Sequence, residues 1–180
     1  VACSVYVILP DAFRGSSRLT VFFSQKATPM TDPTSEVRLP ATGGKQLALS
    51  DFLGKRLVVY FYPKDSTPGC TSEAQQFRDL YSAFLAAGCA LVGVSRDSVR
   101  SHENFKNKHD LPFDLISDAD ETLCSPFAVL KTKTLYGKTV RGIERSTFVI
   151  DADGALRHEW RGVKADGHAQ DVLDFVKTLA

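Results

Sequence analysis

The sequence has no Cys-x-x-Cys pair. Its four cysteines, Cys3, Cys70, Cys89 and Cys124, are spread along a chain of 180 residues. That spacing excludes a thioredoxin-type dithiol and a zinc knuckle, and it is too sparse for a disulfide-built mini-domain. The histidines, His102, His109, His158 and His168, do not fall at ligand spacing from the cysteines. A structural metal is therefore not expected. Charge of one sign is also missing. Lys plus Arg is 22 and Asp plus Glu is 21, a net charge of +1, which argues against a basic nucleic-acid module and an acidic disordered chain. No window approaches about 18 uninterrupted apolar residues, so no membrane helix is expected. Internal repeats and low-complexity tracts are absent. Hydrophobic residues make up 43% of the chain, enough for one domain to bury a core.

The ends differ in character. Residues 1–29 read as an N-terminal extension and 30–180 as the domain. Met30 is the only methionine and opens a polar stretch, which suits a natural start there. The extension then reads as an upstream, disordered segment. Its content of Arg14, Arg18, Lys26 and serines leaves a transit peptide as the alternative. The stretch 28–45, rich in Thr, Pro and Gly, reads as a linker.

Leu57 to Tyr62 is an unbroken apolar and aromatic run, the pattern of a strand covered on both faces. Pro63 ends it. From Cys70, the residues Ala74, Phe77, Tyr81, Phe84 and Leu85 recur as the inward stripe of one helix, closed by Gly88. Ala90 to Ser95 is a second buried strand, so 57–95 reads as a βαβ crossover. An exposed helix over 98–109, capped by Ser98 or Ser101, comes next, then a short strand over 113–116. The segment 118–127 reads as a short helix or turn. Ser146 to Ile150 is a strand, Asp151 to Gly154 a hairpin turn and 155–161 the return strand. A final helix covers 167–179. Strands and helices in this order predict an α/β chain with a thioredoxin-like fold, a mixed central sheet flanked by helices.

Cys70 stands apart from the other cysteines because it opens the helix after a buried strand. Free N–H groups and the positive end of the dipole stabilise an anion there, and a thiolate is such an anion. Thr67 lies three residues earlier, where its hydroxyl can face the same space. Pro68 and Gly69 remove bulk and turn the backbone, and Pro63 stands where it can cover the site. The same residues also admit a plain account, in which Thr67 caps the helix and Cys70 packs.

The segment Tyr60-Phe61-Tyr62-Pro63-Lys64-Asp65-Ser66-Thr67-Pro68-Gly69-Cys70-Thr71-Ser72-Glu73 resembles the active-site segment of peroxiredoxins, more narrowly the bacterioferritin-comigratory-protein or peroxiredoxin Q subfamily. The family's Pro-x-x-x-Thr-x-x-Cys pattern is met by Pro63, Thr67 and Cys70. Gly93 to Ser98, Tyr136-Gly137-Lys138 and Gly142 to Asp151 extend the resemblance, which covers about 39–179. It implies a thioredoxin-like fold and a thioredoxin-dependent thiol peroxidase, with no cofactor. It also implies peroxidatic Cys70 with Thr67 and Arg145 as catalytic partners, and Pro63, Gly69 and Glu73 around the substrate. Without it, Arg145 at a strand start reads as an exposed arginine, and Glu73 as a first-turn acid favoured by the helix dipole.

Two departures from the subfamily matter. The resolving cysteine that many members carry five residues after the peroxidatic one is Gln75 here. The helix that carries it in others aligns with His102 to Lys106, which has no cysteine. Cys89 and Cys124 read as packed thiols. The expectation is a one-cysteine mechanism acting on hydrogen peroxide and organic hydroperoxides. Thioredoxin, glutaredoxin or glutathione would reduce the Cys70 sulfenic acid. Rival expectations are an internal disulfide to Cys89 or Cys124, and a redox sensor or holdase chaperone that uses Cys70 as a switch. A monomer is expected, working in cell redox homeostasis in the cytoplasm, or in a plastid if 1–29 are a transit peptide. Neither nucleic acid nor membrane is expected as a partner. The basic residues Lys131, Lys133, Lys138 and Arg141 read as one solvated loop.

Overall fold

A computed structural model of the chain describes residues 33–135 and 138–179. The extension 1–29 with Cys3, the start at Met30, and the Tyr136-Gly137 part of the resemblance lie outside the described residues.

The apolar run becomes β3 (Arg56–Phe61), buried at every position from Leu57 on. It pairs in parallel with β4 (Cys89–Ser95) and antiparallel with β8 (Ser146–Ile150). A central strand with both faces covered needs no polar alternation, which is why the run is unbroken. Successive residues still point to opposite faces. Val58, Tyr60 and Tyr62 join one buried cluster with Cys70, Ala74 and Phe77. Leu57, Val59 and Phe61 join the other, with Val92, Val94 and Phe148.

Between β3 and β4 the chain crosses over through α1 (Pro68–Asp79) and α2 (Tyr81–Ala86). The single helix expected here is therefore two. Leu80, at φ −96° and ψ 1°, breaks the α geometry between them. The break re-phases the second piece, so that Phe84 is fully buried and Leu85 is 53% exposed rather than inward.

Beyond β4 lie β5 (Asp114–Ser117) and then β1 (Leu39–Ala41) and β2 (Lys45–Leu47). From Leu39 onward, the stretch read as a linker is sheet edge. Leu39 and Ala41 bury apolar surface, and the buried Thr42 hydroxyl donates to Asp114 Oδ1 and accepts from the Leu115 N–H, both at 3.1 Å. On the far side β9 (Leu156–Arg161) returns against β8 through the expected turn. The order β2-β1-β5-β4-β3-β8-β9 is a mixed sheet.

The Ser98 side chain caps α3 (Val99–Lys108) by accepting from the Ser101 N–H at 3.3 Å. This helix is less exposed than expected, because His102 and Phe105, one turn apart, are buried. The basic stretch is not a loop but an antiparallel ribbon of β6 (Leu130–Leu135) and β7 (Lys138–Ile143). Arg141 pairs with Glu121 at 2.8 Å and Lys131 lies 4.0 Å from Glu144, so part of its charge is neutralised. The last helix, α4 (His168–Thr178), packs Val172, Leu173 and Val176 into the core. Among the described residues, no helix is long and apolar enough to cross a membrane.

Candidate active site

Thr67 has the extended backbone of a helix N-cap, and Pro68 occupies the first turn of α1. Proline fits there because its missing N–H would have had no partner within the helix. Cys70 is the third residue of α1, so its own N–H and that of Gly69 fall where no preceding turn accepts them. The residue that carries the sulfur therefore stands at the positive end of the helix dipole, among N–H groups with no acceptor within the helix. Cys70 is only 2% exposed.

Arg145 reaches this point through the sheet. β8 runs antiparallel to β3 with Ser146 opposite Phe61, so Arg145 leaves the sheet beside the end of β3 that feeds α1. Its Nη2 donates to Cys70 Sγ at 3.4 Å, and its Nη1 donates to Glu73 Oε2. The side chain is 14% exposed, so the exposed-arginine account does not hold. Gly69 makes the approach feasible. A Cβ there would stand 3.2 Å from Arg145 Nη2.

Glu73 has no exposed surface. It is the sixth residue of α1, beyond the first turn, so the reading of it as a first-turn acid favoured by the helix dipole does not hold, and its partner is Arg145. Burial pushes its carboxyl up to about 7, and the neighbouring Arg145 charge pulls the other way without cancelling the effect. Its Oε1 has no hydrogen-bond partner among the described residues. Arg145 is conversely held more firmly protonated. Burial disfavours its charge, and Glu73 and Cys70 outweigh that.

The other expected residues lie around this core. The Thr67 hydroxyl donates to the Lys64 carbonyl at 3.0 Å. Pro63 is exposed at the rim, so the burial of Cys70 comes from the apolar cluster around Tyr60, Ala74 and Phe77. Cys70, Cys89 and Cys124 are all free thiols. Burial pushes the Cys89 thiol up to about 12. Burial, with the Asp118 carboxylate beside it, pushes Cys124 up as well. Both are packed, as expected. Among the described residues, no group of His, Cys, Asp and Glu is placed to hold a metal ion.

Two buried features near the site carry little local signal in the sequence. Tyr60, whose hydroxyl has no hydrogen-bond partner among the described residues, points it into the core, into space that Gly93 leaves open, since a Cβ at 93 would lie 2.7 Å from it. A lone glycine inside an apolar strand is the one available hint of such a close approach. Asp65 and His102 meet at 2.9 Å across 37 positions of sequence, and nothing local to either residue announces the pair.

A family model described as the AhpC/TSA family matches residues 30–159. The chain belongs to the AhpC/TSA family. Peroxiredoxin Bcp of Xanthomonas campestris pv. campestris is 50% identical over 147 residues, 82% of this chain and 92% of that protein. Peroxiredoxin Bcp of Bacillus subtilis is 43% identical over 162 residues, 90% and 99% of the two chains. A solved structure of the Xanthomonas campestris bacterioferritin comigratory protein, studied for its alkyl peroxide reduction activity, superposes with a TM-score of 0.79. It is 49% identical and covers 81% of this chain and 93% of its own. The resemblance read from the sequence and the thioredoxin-like fold are thereby borne out. The chain is a peroxiredoxin, a thiol peroxidase whose substrates are a peroxide and a reducing thiol.

Proposed function

We propose that Cys70 is the peroxidatic cysteine and that the enzyme works with this one cysteine and an external thiol. The observation that carries this is the Arg145 Nη2 contact to Cys70 Sγ at 3.4 Å, at the start of α1. The Cys70 thiolate attacks one peroxide oxygen, a sulfur–oxygen bond forms and the oxygen–oxygen bond breaks. The leaving oxygen takes a proton and departs as water or an alcohol, and Cys70 is left as a sulfenic acid. Arg145 and the first-turn N–H groups supply donors where negative charge moves onto the leaving oxygen. The Thr67 hydroxyl, whose proton points at Lys64, offers its lone pairs to a peroxide O–H. Pro63 bounds the entrance. Glu73 and Gly69 reach the peroxide only through Arg145, by orienting it and by leaving it room. Hydrogen peroxide and organic hydroperoxides are the substrates, as the relative's alkyl peroxide reduction suggests.

An external thiol then attacks the sulfenic sulfur and expels water. A second thiol releases Cys70 from the mixed disulfide. Thioredoxin, glutaredoxin and glutathione are the candidate donors. An internal disulfide to Cys89 or Cys124 is disfavoured because both are buried with raised pKa values. A bare redox switch or holdase has no use for donors aimed at a leaving oxygen. A monomer is the form proposed, and an essential free thiol at Cys70 suits the reducing cytoplasm.

The test is intact mass after one equivalent of hydrogen peroxide with a sulfenic-acid trap present. An adduct on wild type that is absent from Cys70→Ser supports the reading. Loss of two hydrogens without an adduct means an internal disulfide.

A further inference from the structure

The segment between β3 and α1 is anchored at its middle. Asp65 lies two residues after Pro63 and two before Thr67. Its carboxylate accepts from Tyr62 OH at 2.8 Å, Ser101 Oγ at 2.7 Å and His102 Nδ1 at 2.9 Å. Ser101 and His102 belong to α3. The Asp65 backbone N–H donates to Asp97 Oδ2 at 2.7 Å, and that oxygen also accepts from Ser95 Oγ at 3.0 Å.

One peptide plane carries this anchor to the site. The Lys64 carbonyl and the Asp65 N–H are the two ends of a single planar unit. The carbonyl accepts the Thr67 hydroxyl proton at 3.0 Å, while the N–H is held by Asp97. Whatever fixes Asp65 therefore fixes where the Thr67 hydroxyl sends its proton and where its lone pairs face. Ser66, between the two, has φ 58°, a left-handed backbone that a non-glycine residue keeps only when its neighbours are held. His102 is fully buried and its Nε2 has no partner among the described residues. A ring that leaves one nitrogen unpaired is kept in place by what the other nitrogen does.

We propose that the Asp65–His102 pair is a positioning device for the peroxide. α3 locks the loop before α1 so that Thr67 presents its lone pairs beside Cys70. Neither residue touches the substrate. The inference rests on the reading of Cys70 as the peroxidatic thiol and adds residues from α3 to it.

The experiment compares two reactions of the Cys70 thiol in the full chain: oxidation by hydrogen peroxide and alkylation by iodoacetamide at the same pH. Alkylation needs the thiolate but not a positioned hydroxyl. His102→Leu removes the donor to Asp65, and His102→Asn restores an N–H near the Nδ1 position. The peroxide rate of His102→Leu should fall about 10- to 100-fold, with alkylation within about twofold of wild type, and His102→Asn should recover most of the loss. If His102→Leu does not fold, Ser101→Ala removes one donor from the same carboxylate and should slow the peroxide step about threefold. An unchanged peroxide rate in a folded variant overturns the proposal, and so does an equal fall in both reactions. A wild-type protein whose Cys70 reacts with peroxide no faster than free cysteine overturns the peroxidatic reading itself, and this one with it. A fast wild type with an indifferent His102→Leu overturns this one alone.

Discussion

Arg145 joins Glu73 to Cys70. One guanidinium nitrogen donates to the buried carboxylate and the other to the sulfur. A planar fork can hold two acceptors at a fixed angle, whereas an ammonium is a point charge with rotating donors. Arg145→Lys should therefore keep the positive charge and lose the second contact. Peroxide oxidation of Cys70 should slow about 100-fold. Stopped-flow rates against hydrogen peroxide check this, and a Lys variant as fast as wild type would remove the fork from the mechanism.

Glu73 makes stability depend on pH in a direction opposite to an ordinary paired carboxylate. Its carboxyl is pushed up to about 7 in the fold, by burial first and despite Arg145. The unfolded chain gives up that proton in the usual carboxyl range. Between those values the folded protein binds more protons, so this contribution is full below the usual range and is lost as pH rises through about 7. Glu73→Gln carries no such proton. Denaturation midpoints of wild type should fall between about pH 5 and about pH 8 by more than those of Glu73→Gln. Parallel pH curves for the two proteins would contradict the assignment.

The parts of this fold that could be read from the sequence are those whose signal is local. β3 and β8 are contiguous apolar runs, and Pro63, Thr67 and Cys70 lie within a single strand–helix junction. Arg145 is 75 positions from Cys70. Its place at the site came from the family resemblance, because an arginine before a strand has no distinguishing neighbour. The β6–β7 ribbon was hidden by composition. Lys131 to Leu135 and Lys138 to Ile143 mix charged and threonine side chains with few apolar ones, so neither strand announces a buried face. The break at Leu80 was hidden for another reason. Tyr81 and Phe84 suit the inward phase of one long helix and of two short ones, and only the exposure of Leu85 distinguishes them. Asp65 and His102 are each unremarkable in sequence and acquire meaning only when α3 is placed.

The three described cysteines should behave unequally. Cys89 opens β4 fully buried, its thiol pushed up to about 12, and Cys124 is buried beside Asp118. A thiol that holds its proton is a poor nucleophile toward a sulfenic acid. Disulfide geometry would also demand that a core strand or the 118–129 segment move. Cys89→Ser and Cys124→Ser should each turn over peroxide at close to the wild-type rate with an external thiol, while Cys70→Ser should have no turnover and an intact fold. Steady-state turnover and circular dichroism on the three variants decide it. Loss of turnover in either of the first two would restore the internal disulfide.

Gly69→Ala separates stability from chemistry at one position. Position 69 is helical, and alanine is favoured over glycine in a helix by about 1 kcal/mol. The new methyl would stand 3.2 Å from Arg145 Nη2, closer than most Cβ contacts and against the atom that donates to Cys70. The guanidinium must give by a few tenths of an ångström, and a hydrogen bond already at 3.4 Å has little to spare. The variant should melt no lower than wild type and react with peroxide about 10-fold more slowly. Thermal midpoints and peroxide rates on the same preparation check both halves. A stable variant with an undiminished rate would mean that Arg145 reaches the leaving oxygen without the space that Gly69 leaves for it.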